Sequence, residues 1–171
     1  MFHRIAALAL AALLTLTPTL PVQANTLGTP TGDVVLTVTG DIAAMNSRDA
    51  AMFDRDMLRS IGEVTIETST IWTVGVQTFT GVPLIALVEA LGIEGGTLTA
   101  TAVNDYATTI PVSEAVEGGP IIAYARNGAP MSLRNKGPLW IVYPYDTRPE
   151  YQSEVTYSRS IWQLDRLTAT N

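Results

Sequence analysis

Apolar and polar positions alternate through Val34–Thr39, where Leu36 and Val38 fall on one side and Thr37 and Thr39 on the other. This predicts a strand with one buried face. After Gly40 the period lengthens. Phe53, Met57, Leu58 and Ile61 share one face at helical spacing, and Gly62 follows as a stop. Val64–Thr70 returns to a Thr-rich alternation, which suits a strand. Leu84, Leu87, Val88 and Leu91 then form an apolar stripe that Gly92 closes. Pro83 is placed in the first turn of that helix, where its missing N–H would be unpaired anyway. Thr97–Val103 predicts a strand, Asn104-Asp105 a turn, and a further strand runs through Ile110. Ile121–Arg126 leads into Asn127-Gly128, a strong two-residue hairpin signal. Leu139–Tyr143 is apolar throughout, as a central strand would be, and Thr156–Thr168 reads as a final strand or pair of strands. The pattern as a whole predicts an α+β fold: a mixed or antiparallel, β-rich sheet with two or three short helices, no internal repeat and no interdomain linker.

The first 24 residues follow a different rule. A short basic start ending at Arg4 precedes an apolar run from Ile5 to Leu16, and Val22-Gln23-Ala24 places small residues at −3 and −1 of a cleavage site. That pattern predicts a secretory signal, too short in its apolar part to span a bilayer comfortably, with the cut expected after Ala24; an uncleaved N-terminal anchor is the alternative. Residues 25–33 read as a flexible Thr-, Pro- and Gly-rich leader, and residues 34–171 as one domain. No later stretch is apolar enough to cross a membrane, so no insertion is expected after cleavage. An exported chain of this kind is expected in the periplasm.

Composition narrows the chemistry by subtraction. The sequence has no Cys, and its one His is His3, inside the signal. Zinc, copper, haem and iron–sulfur sites normally need one or both, and Ser-His or Cys-His catalysis needs His. Loss of Arg4 lowers the ten basic residues to nine against sixteen acidic ones, a net charge of −7. Such a domain repels nucleic-acid phosphates and anionic lipid surfaces.

Five segments in order carry a resemblance. They are Phe79-Thr80-Gly81-Val82-Pro83-Leu84, then Asn104-Asp105-Tyr106 with Ile110-Pro111-Val112, then Ala123–Pro130, Gly137–Pro144 and Arg159-Ser160-Ile161-Trp162. Over residues 34–168 they resemble the molybdopterin-binding domain of the sulfite-oxidase-type fold. Molybdenum enzymes of that family hold the metal through one Cys just upstream of the Gly-Val-Pro-Leu element. Here that stretch is Ile66-Glu67-Thr68-Ser69-Thr70-Ile71-Trp72-Thr73, with no thiol, and a hydroxyl is a poor substitute for a soft thiolate. The chain looks like a group of small periplasmic proteins of this fold that bind a free pterin, neopterin-like or tetrahydropterin-like, and carry no molybdenum. The resemblance implies a non-catalytic role and a partner: the periplasmic domain of a membrane-bound sensor, either a cyclic di-GMP enzyme or a histidine kinase. A molybdopterin-dependent oxidoreductase subunit and an interaction domain with a decayed groove are the alternatives.

Binding a pterin takes an aromatic face for stacking, an acceptor for its N–H edge and donors for its carbonyl edge. The resemblance places Trp162 first for stacking; the alternative is a core residue alternating with Leu164. Arg159 is a donor candidate, or else a solvated surface charge. Asp105 is the candidate acceptor, with Tyr106 beside it, although Asp in a turn is expected for backbone reasons alone. Ser69 and Thr70 offer hydroxyls in place of the metal-bearing Cys, with Trp72 as a wall, or belong to an ordinary Thr-rich strand. Arg134, close to Lys136 and the Gly137-Pro138-Leu139 element, faces the groove or lies on a surface turn.

Overall fold

The computed structural model describes residues 27–171, and the expected signal peptide over residues 1–24 lies outside them. The architecture is α+β, with ten strands and three short α-helices among the described residues. Chain order is β1 (Leu36–Gly40), β2 (Ala51–Phe53), α1 (Arg55–Ile61), β3 (Val64–Thr68), β4 (Gln77–Pro83) and α2 (Leu84–Leu91). There follow β5 (Thr97–Ala102), β6 (Ala107–Pro111), β7 (Ile121–Arg126), β8 (Ala129–Pro130), β9 (Leu139–Val142), α3 (Glu154–Arg159) and β10 (Trp162–Thr170). The main path through the sheet is β2-β1-β10-β9-β7-β4-β3, and β5, flanked by β6, pairs with β10. Only β1 and β10 run parallel; every other pair is antiparallel.

Strand β9 is central, as its unbroken apolar run predicts. It lies between β10 and β7 with all four residues buried. The stripe of α2 is likewise buried, at Leu84, Leu87, Val88 and Leu91. Pro83 does not enter that helix. It is the last residue of β4 and stands directly before the first turn, where the Leu84 N–H donates to the Pro120 carbonyl at 2.9 Å. The Asn127-Gly128 turn joins β7 to β8 with φ of 50° and 75°, the left-handed pair that a two-residue hairpin demands.

Two further expectations are corrected. Phe53 belongs to β2, not to a helical face, because Asp54 ends the strand and caps α1. Its carboxylate accepts from the Met57 N–H at 2.8 Å. The same carboxylate accepts from the N–H groups of Thr31 and Gly32 at 2.8 and 2.9 Å, and Asn46 donates to the Gly28 carbonyl. Contacts with the domain therefore begin upstream of the expected boundary at residue 34. The second correction is larger. Residues 156–168 are not one strand or two: α3 occupies Glu154–Arg159, capped by Ser153, and β10 starts only at Trp162.

At Gly81 the backbones of β4 and β7 approach so closely that a Cβ would lie 2.2 Å from the Ile122 carbonyl oxygen, beside a slip in the pairing register. That junction seats β4, and hence the loop before it, against the central strands.

Candidate functional site

Three segments meet over the C-terminal end of β5 and the start of β10. They are the loop between β3 and β4, the turn at Val103–Tyr106, and α3 with the first residue of β10. Together they enclose an open groove of about 620 Å³, whose walls include Ile71, Trp72, Tyr106, Glu154, Tyr157 and Trp162. This volume is in the range of small-molecule sites, and the lining is largely apolar and aromatic.

Trp162 owes its position to a bulge. Gln163 takes φ 53°, and the register between β10 and β9 slips between residues 162 and 164. The two side chains therefore do not alternate on one face. Leu164 is fully buried, whereas Trp162 is 36% exposed in the groove wall. The Gln163 N–H donates to the Lys136 carbonyl at 3.0 Å and its side-chain amide to the Leu133 carbonyl at 2.8 Å, which holds the bulge. Lys136 Nζ lies 3.8 Å from the centre of the Trp162 ring, an attraction between a cation and the π face. Burial and the nearby charge of Arg126 hold the Lys136 pKa below its ordinary value.

Trp72 is the hub of the floor. It meets Trp140, Tyr145, Tyr157 and Trp162 edge to face at 5.6 to 6.3 Å between ring centres. The layer beneath is hydrogen-bonded. Trp140 Nε1 donates to the Ser160 carbonyl at 3.1 Å, Tyr145 Oη donates to Ser160 Oγ at 2.6 Å, and Ser160 Oγ donates to the Thr156 carbonyl at 2.8 Å. Burial pushes the Tyr145 phenol up to about 12, so it remains a donor at neutral pH.

Of the residues singled out from sequence, Trp72, Tyr106 and Trp162 come together in this groove. Ser69 and Thr70 line an adjoining polar pocket of about 240 Å³ with Asp146 and Gln152, not the groove itself. Three others lie outside both. Arg159, the last residue of α3, forms an ion pair with Glu114, which also accepts from Tyr143 Oη. Asp105 sits at φ 66° in its turn with its side chain 83% exposed, and it pairs with Arg166 at 2.8 Å. Arg134 is exposed on a single 3₁₀ turn over Leu133–Asn135. Arg159, Asp105 and Arg134 therefore do not stand with Trp72, Tyr106 and Trp162 in the groove wall.

The structure adds groups that sequence reasoning passed over. Glu154 and Tyr157 enter the groove from α3, a helix the β-branched Val155 and Thr156 disguise as strand, and Asn104 enters from the turn. The one available signal was Ser153 followed by Glu154, a capping residue with an acid in the first turn.

Residues 39–147, well over half of the chain, match the oxidoreductase molybdopterin-binding domain. The chain belongs to that family. As a molybdopterin-binding domain it has the fold seen in the crystal structure of the sulfane dehydrogenase SoxCD from Paracoccus pantotrophus, with a TM-score of 0.57 and 17% identity. That match covers 78% of this chain but only 37% of the SoxCD chain. No curated protein sequence matches. The groove's aromatic walls and its carboxylate suit the flat ring and N–H edge of a pterin. The molybdenum end of the family's cofactor fits less well. The sequence contains no thiol, and the described residues hold no group of three or more His, Cys, Asp or Glu side chains able to bind a metal ion.

Proposed function

We propose that this protein is a non-catalytic, periplasmic pterin-binding protein that relays pterin availability to a membrane-bound sensor. The observation that carries the reading is the groove itself. A molybdopterin-binding domain without a Cys keeps Trp72, Tyr106 and Trp162 together around a cavity wide enough for a pterin ring. Trp162 supplies the stacking face, with Lys136 resting on the indole. Glu154 replaces Asp105 as the acceptor for the amino edge, since Asp105 is engaged with Arg166. The basic start, apolar run and small residues at Val22 and Ala24, the sequence pattern of an export signal, support the compartment. A sensor domain, cyclic di-GMP enzyme or histidine kinase, is the partner that the family resemblance implies.

Isothermal titration of the purified protein with neopterin and with a tetrahydropterin tests the reading. Saturable one-to-one binding, with no molybdenum by elemental analysis, is the expected result. Stoichiometric molybdenum in the protein as isolated would support an oxidoreductase subunit instead. Absence of both pterin and metal would leave an interaction domain.

A further inference from the structure

The groove does not end at Tyr157. Ile71 and Tyr157 also belong to the second pocket, so the apolar groove and the polar one adjoin across these two side chains. The second pocket is built from Ser69, Thr70 and Ile71 in the loop between β3 and β4, together with Tyr145, Asp146 and Gln152. Its groups are acceptor-rich. The Asp146 carboxylate takes the Ser69 N–H and the Ser69 Oγ hydroxyl, each at 2.6 Å, one on each oxygen. Each oxygen retains a second lone pair. Gln152 donates through Nε2 to the Tyr145 carbonyl at 2.9 Å, and its Oε1 has no protein donor among the described residues. The Tyr157 hydroxyl, on the boundary, is likewise without a hydrogen-bond partner among them. The anchoring hydrogen bonds from Ser69 hold the Asp146 carboxyl below the usual range, so it is charged at neutral pH.

We propose that this pocket reads the side chain of the bound pterin, selecting a neutral tail with adjacent hydroxyl groups. The proposal rests on the pterin reading and deepens it. With the ring stacked at Trp162, a tail directed past Tyr157 meets Asp146 and Gln152. Hydroxyls supply the donors that a carboxylate and an amide oxygen lack. A methyl group leaves those acceptors unpaired by ligand, and a phosphate ester brings a second negative charge against Asp146.

The test compares three probes by isothermal titration: neopterin, whose tail is a triol, 6-methylpterin, which has the same ring and no hydroxyls, and neopterin phosphate. Neopterin is expected to bind at least about tenfold more tightly than either of the others. Asp146→Asn weakens neopterin toward the level of 6-methylpterin and relieves the discrimination against the phosphate. Because Asp146 also anchors Ser69, Gln152→Leu is measured in parallel, with circular dichroism on both variants; it should narrow the neopterin preference while 6-methylpterin binding holds. Equal affinity for neopterin and 6-methylpterin in the unmodified protein overturns tail recognition and leaves the pterin reading standing. Tighter binding of the phosphate overturns it too. Failure of all three probes to bind removes the pterin reading itself.

Discussion

At Trp162 a strand residue serves the surface, not the core. The bulge at Gln163 breaks the alternation that would have paired its direction with that of buried Leu164. Replacing it separates two roles. Trp162→Ala is expected to weaken pterin binding by about 1–3 kcal/mol, the scale of one aromatic stacking platform. Trp162→Phe should restore most of the loss. Titration calorimetry beside a urea melt checks this, because a purely structural residue would shift the melt and leave the affinity unchanged. Two of the residues singled out from sequence lie outside the groove. Arg159 and Asp105 are bound to partners 45 and 61 positions away in the chain, Glu114 and Arg166. Local sequence carries no trace of such pairings.

Among the elements, the junction of β4 and β7 has no room for added volume. Gly81→Ala places a methyl against the Ile122 carbonyl and the Ala123 Cα, so the strands must separate or the bulge must move. The expected cost is about 1–3 kcal/mol, read as a lower urea midpoint at unchanged m value. Helix α2, strand β9 and the Asn127-Gly128 hairpin were legible in sequence because each rests on a local rule: a stripe, an unbroken apolar run, a left-handed turn pair. Helix α3 was not. Its six residues are too few to sustain a helix alone, and two β-branched side chains point toward strand. Local caps at Ser153 and Ser160 close its ends, and tertiary contacts hold it in place: Tyr145 Oη on Ser160, Glu114 on Arg159 and Trp72 against Tyr157. Patterned as strand from Thr156 onward, this stretch gives no sign that Glu154 and Tyr157 share the groove. Trp72 and Trp162 are marked by the family resemblance, not by periodicity.

Across the whole molecule, pH dependence follows from which groups are present. Beyond His3 there is no His, so no other side chain with an ordinary pKa changes charge between about pH 6 and 8, and the urea midpoint is expected to be flat there. Acid is different. Backbone N–H groups of Gly32, Met57 and Thr31 lower the Asp54 pKa, and Ser69 lowers that of Asp146. Both groups bind protons more weakly folded than unfolded, so their stabilising effect is complete above the ordinary value of 3.8 and is lost as pH falls through the native values. A urea midpoint that drops between pH 5 and pH 3, with a shallower drop in Asp54→Asn, is the expected outcome. One further property belongs to the molecule as a unit. All three tryptophans lie together, with Trp72, Trp140 and Trp162 separated pairwise by 5.6 to 6.4 Å between ring centres. At that spacing their ultraviolet transitions couple, and excitation absorbed by any indole migrates to the others before emission. The protein therefore carries one shared chromophore, not three independent ones. Its exposed member forms the groove wall, so whatever settles there perturbs the optical signature of the entire chain.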